Sequence, residues 1–132
     1  MRTSIRYLAG FFLSLASGLT AAHHSFAVHY DGERIVSVTG VVEAFRFRNP
    51  HGIIVVAGAS DEGLDATWTI ETNSPNILKR RGWTEDSIRA GDEVVIEGFP
   101  ANDGSPAMRV YRVRFADGRE LVGQRPAAGI ER

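Results

Sequence analysis

Between residues 35 and 122 the chain repeatedly alternates apolar and polar side chains, and each run stops at Gly, Pro, Asn or Asp. Side chains on a strand change face at every residue, so such runs require a sheet with one face on a core. Ile35 to Arg48 is the longest run. Val36 and Val38 share one parity, and Val41, Phe45 and Phe47 share the other. The switch falls beside Gly40, where a bulge or bend would keep both sets on one core. Asn49-Pro50-His51-Gly52 reads as a turn, Ile53 to Ala57 as a second strand, and Ala66 to Thr72 as a third carrying Trp68 and Ile70 on one face. Glu93 to Phe99 and Met108 to Phe115 follow as strands, with Tyr111, Val113 and Phe115 expected inward and Arg112 and Arg114 outward. Asp117-Gly118 is a strong hairpin signal leading into Arg119 to Val122.

A single helix is punctuated between the third and fourth strands. Ser74 is placed to cap it, Pro75 suits its first turn, and Gly82 suits its end. Lys79, Arg80 and Arg81 occupy the last turn, where positive charge complements the helix dipole; this plain reading outweighs a phosphate site. Trp83 is positioned to pack back on Leu78. Three strands, a helix and two strands is the order of an OB-fold. The expected class is mainly β: a small five-stranded OB-like Greek-key barrel with one short helix between strands three and four. Closure or cover is needed because a sheet this apolar cannot leave its faces and edges in water.

The expected boundaries are a cleavable signal peptide over 1–22, an extended N-terminal arm over 23–34, the barrel over 35–122 and a flexible tail over 123–132. Arg2 and Arg6 precede an apolar run from Tyr7 to Leu19, and Thr20, Ala21 and Ala22 offer small residues for cleavage. The run is short and contains Ser and Gly, a poor bilayer-spanning helix, so no membrane association is expected after cleavage. A periplasmic or secreted protein follows from this reading. Of 132 residues, 110 would remain, enough for one domain. Without Arg2 and Arg6 the 15 basic residues become 13 against 16 acidic ones, a net charge of −3, which argues against a broad nucleic-acid surface. The absence of cysteine excludes disulfides, thiolate metal sites and a cysteine nucleophile.

His23-His24-Ser25-Phe26, Asn49-Pro50-His51, Ser74-Pro75-Asn76 with Arg81-Gly82-Trp83, Ala90-Gly91-Asp92, Asp103-Gly104-Ser105-Pro106 and Ala116-Asp117-Gly118-Arg119 occur together. As a set they resemble small exported bacterial proteins grouped as domain-of-unknown-function family 6152. The resemblance covers nearly all of the expected mature chain and implies export and a one-domain architecture, with no established activity.

The chemistry-bearing set is His23, His24, His29 and His51. Cleavage after Ala22 would leave His23 first, so its free amine and imidazole could chelate one metal, with His24, His29 or His51 completing a nitrogen set suited to Cu(II). Cleavage after Ala21 would place His24 third, and amine, amides and imidazole could then wrap Cu(II) or Ni(II) in a square plane. Copper is the ion this pattern favours, and no other cofactor is expected. Taken alone, His51 reads more plainly as a turn residue bonded to a nearby carbonyl. Arg46, Arg48, Arg112 and Arg114 alternate with apolar neighbours and offer a second reading, contacts to a periplasmic protein or a glycan. The same alternation also describes any strand with one wet face. No nucleophile elbow, phosphate loop or paired-carboxylate signal is present, so a non-enzymatic binding module is expected.

Overall fold

The structure, a computed structural model, describes residues 26–125. The expected signal peptide, His23, His24 and the end of the tail lie outside the described residues.

Six strands and a short helix run in the order β1 (Val36–Arg46), β2 (Ile53–Ser60), β3 (Asp65–Glu71), α1 (Pro75–Lys79), β4 (Glu93–Pro100), β5 (Ala107–Phe115) and β6 (Glu120–Val122). Hydrogen bonding places them side by side as β3-β2-β1-β4-β5-β6, and a β3–β5 pairing closes the first five into a barrel. That closing seam is parallel, with Thr69 opposite Ala107, Ile70 opposite Met108 and Glu71 opposite Arg109, while the other pairings are antiparallel. The architecture is the expected OB-like barrel with its helix between β3 and β4, and β6 is added by the Asp117-Gly118 hairpin.

Closure comes from curvature, and two bulges supply part of it. On β1 the register jumps between Val42 and Ala44, so Glu43 is the extra residue. Val36, Val38 and Val42 are buried ahead of it, and Phe45 and Phe47 pack on the core beyond it. The change of parity therefore lies at Glu43 rather than beside Gly40. Val41, expected inward, is instead 43% exposed. On β5, Glu97 faces Arg112 while Gly98 faces Val110, which leaves Tyr111 as the extra residue. Val110 and Val113 are thus both buried, and Tyr111 turns outward, stacked 5.1 Å from the Arg112 guanidinium, rather than inward.

Gly40 and Gly58 face each other across β1 and β2. A Cβ on either would collide with the partner strand's backbone, at Ala57 or Thr39 respectively. Glycine here permits the close approach of the two backbones.

The helix stops as expected. Trp83 N–H donates to Leu78 O at 3.1 Å and Gly82 N–H to Lys79 O at 3.1 Å, the paired bonds of a Schellman ending. Ser74 begins the helix but makes no side-chain cap bond. Leu78 and Trp83 are buried in the core with Ile54, Ile70, Ile96 and Val113, so α1 plugs one end of the barrel. The Trp83 indole N–H donates to Val122 O at 3.0 Å, tying the plug to β6.

The segment before β1 is not simply extended: residues 26–29 form a helical turn. Tyr30 then bridges to Ala101, Asp31 N–H donates to Pro100 O at 2.9 Å, and Phe26 meets the Phe99 ring edge-on at 5.6 Å. Phe99 and Arg109 are cross-strand partners, yet both are buried, because this segment covers them.

Candidate functional site

Where β3 ends beside the start of β5, Glu71 gathers a half-buried polar cluster. Arg109 Nη1 donates to Glu71 Oε1 at 2.6 Å, and the Tyr30 hydroxyl donates to Oε2 at 2.6 Å. Arg109 Nη2 donates to Asn73 Oδ1 at 2.6 Å, and Asn73 Nδ2 donates to Gly123 O at 3.3 Å. His51 Nδ1 stands 3.4 Å from Glu71 Oε1. Three parts of the chain therefore reach the β3 carboxylate, namely the arm, the β1–β2 loop and β5, and Asn73 ties the cluster to the segment after β6.

Local sequence explains how each arrives. Met108 and Val110 face the core, so Arg109 points out of the barrel between them. The parallel seam sets it opposite Glu71. His51 comes from the turn that contains the cis Asn49–Pro50 bond. Gly52 bonds to the end of β3 from both sides, with Gly52 N–H to Asn73 O at 3.3 Å and Thr72 N–H to Gly52 O at 2.8 Å. A Cβ at residue 52 would strike the Thr72 hydroxyl, so only glycine lets this loop close onto β3 and bring His51 to Glu71.

Burial and charge act together in the cluster. Arg109 is only 9% exposed, and its Nε–H is buried without a partner. Desolvation draws its pKa down, and the Glu71 and Tyr30 oxygens oppose that pull. The Tyr30 phenol is pushed well above its ordinary value, first by burial, then by its hydrogen bond to Glu71 and the charge of that carboxylate. Glu71 is thus an anchored acceptor that holds Arg109 and fastens the arm, with the His51 imidazole beside it.

The predicted site residues fall into separate groups. His29 is exposed on the anchored arm, its ring 6.5 Å from that of Tyr30. Its carbonyl accepts Asn102 N–H at 2.9 Å, while Asn102 Nδ2 donates to Ala27 O and Val28 O at 3.0 and 3.1 Å. His51 meets Glu71, and the Tyr30–Glu71 pair links the two histidines. Among the described residues no group of three His, Cys, Asp or Glu side chains is placed to hold a metal. Arg112 and Arg114 both grip Glu97, at 2.8 and 2.7 Å. Arg46 and Arg48 are exposed at the end of β1 and beyond it, with no acid partner among the described residues.

Tyr30, Asn73 and Arg109 were not legible as site residues in the sequence. The available signal was an arginine between Met108 and Val110, flanked by two buried apolar positions. Its pairing with Glu71 depends on the parallel seam, which no local pattern encodes.

These features define a small closed β-barrel of OB type with an N-terminal segment docked over its closing seam. The chain belongs to a family of unknown function, DUF6152, which matches residues 12–109. No curated protein and no solved structure matches it.

Proposed function

We propose that the protein is an exported, non-enzymatic binding module that holds copper through its N-terminal histidines. The observation that carries this reading is the anchoring of the arm from Phe26 onward by Phe99, Asn102, Ala101 and Glu71. His23 lies three residues before Phe26, and three residues span at most about 10 Å. A terminal amine and imidazole at His23, with His24, would thus be tethered to a fixed point close to His29. Holding His29 in place lowers the entropy cost of adding it to the nitrogen set. His51 Nδ1 stands 3.4 Å from Glu71 Oε1, which would leave Nε2 as its ligand atom, as where a carboxylate neighbours a metal-binding imidazole. Export is supported by the basic start, apolar run and small residues at 20–22.

Calorimetric copper titration of the processed protein, with its first residue fixed by mass spectrometry, tests this. Specific binding that weakens at least about tenfold in the His23→Ala/His24→Ala variant is expected. Equal binding by both proteins would refute the site.

A second reading, contacts to a protein or glycan through exposed arginines, is favoured by one observation. Arg46 and Arg48 have no acid partner among the described residues, whereas Arg112 and Arg114 are engaged by Glu97.

A further inference from the structure

We infer that the helix end of the barrel binds an acidic polysaccharide, seating one acid sugar in a cleft between Arg81 and Arg125. The inference deepens the second reading above, the arginine-mediated contact, and is independent of copper.

Charge pairing divides the described cations into two populations. Arg34, Arg89, Arg109, Arg112, Arg114 and Arg119 each have a carboxylate within 4.0 Å. Arg46, Arg48, Lys79, Arg80, Arg81 and Arg125 have none among the described residues. The second population gathers at one end of the barrel. Lys79 Nζ sits 5.9 Å from the Phe47 ring, which Arg46 and Arg48 flank in sequence. Phe47, Phe45 and Trp83 form a chain of ring contacts at 5.6 and 6.2 Å. The Trp83 indole bonds Val122 O at 3.0 Å, and the backbone runs on from there to Arg125. Among the described residues, the cations without a carboxylate partner thus gather toward that end.

That end contains a concavity. Arg81, Glu120, Val122, Gln124 and Arg125 line an open cleft of about 620 Å³. Two guanidinium groups can take a carboxylate through paired, charge-assisted bonds. Glu120, 46% exposed and 3.9 Å from Arg112 Nη1, can only accept hydrogen bonds. The Gln124 side-chain amide makes no hydrogen bond among the described residues, and it can donate and accept. An acceptor and an amide beside two cations fit the hydroxyls and carboxylate of a uronic acid. The rings at this end are turned to the core and offer bases no stacking platform. Lys79, Arg80, Arg46 and Arg48 would meet the next acid units of the polymer.

The test is calorimetric binding of the full processed chain to polygalacturonate, with neutral dextran, polyglutamate and single-stranded DNA as comparisons. Polygalacturonate is expected to bind, more weakly as salt rises, and tighter than the other three. Arg81→Ala/Arg125→Ala should lower that affinity about tenfold or more, and Arg34→Ala should leave it unchanged. Binding no better than dextran, or matched by polyglutamate or DNA, would overturn the inference. Binding retained in Arg81→Ala/Arg125→Ala but lost in Arg46→Ala/Arg48→Ala would also overturn it while leaving the second reading intact. Circular dichroism of each variant confirms folding.

Discussion

Arg109 and Glu71 are an ion pair taken largely out of water, and such a pair costs most when it is broken rather than replaced. Arg109→Met should leave Glu71 beside apolar surface and without its Asn73 link, and should destabilise the protein by about 2–3 kcal/mol. Adding Glu71→Leu should restore part of that loss, because the unpaired carboxylate is then gone. Urea unfolding of the single and double variants measures both effects. Tyr30 gives a pH-dependent counterpart. Its folded pKa is raised, so the neutral phenol contributes its stability fully below the ordinary value of about 10 and loses it as pH climbs above that. Tyr30→Phe should be less stable by about 1–2 kcal/mol near neutrality, and the gap to the wild type should narrow in alkali. A gap constant with pH would show that the phenol contributes only through packing.

Strands and helix obey rules that a local window can read. The alternation around Trp68 and Ile70, the Asp117-Gly118 hairpin and the Gly82 helix end all appear where their residues place them. The parity of β1 and β5 was harder to read. A bulge shifts every later side chain to the other face, and Glu43 and Tyr111 carry no composition that marks them as the extra residue. Gly40 drew attention as the site of the bend, but its role is close approach to Gly58. Gly40→Ala should therefore cost about 1–3 kcal/mol by forcing β1 from β2, although alanine is an ordinary strand residue. Thermal unfolding reads this directly. An unchanged melting temperature would mean the barrel tolerates a flatter β1. The Glu71 cluster was beyond local reading, since Tyr30 and Arg109 lie 41 and 38 residues from Glu71 and meet it only after closure.

At the scale of the molecule, the barrel is a closed scaffold whose seam is covered by the arm. This β3–β5 seam has His51 standing beside Glu71, and the described cations without a carboxylate partner include Arg46, Arg48 and Lys79. The seam explains why an aromatic and an arginine on the outer surface are buried: Phe26 and Tyr30 act as a small second core over Phe99 and Arg109. An anchored arm is what would turn cheap terminal histidines into a defined chelate. Electron paramagnetic resonance of the processed protein loaded with an equimolar amount of Cu(II) examines that chelate itself. A tetragonal spectrum with nitrogen splitting, altered in both His23→Ala and His29→Ala, is the expected result. A spectrum identical in the wild type and the two variants would contradict it.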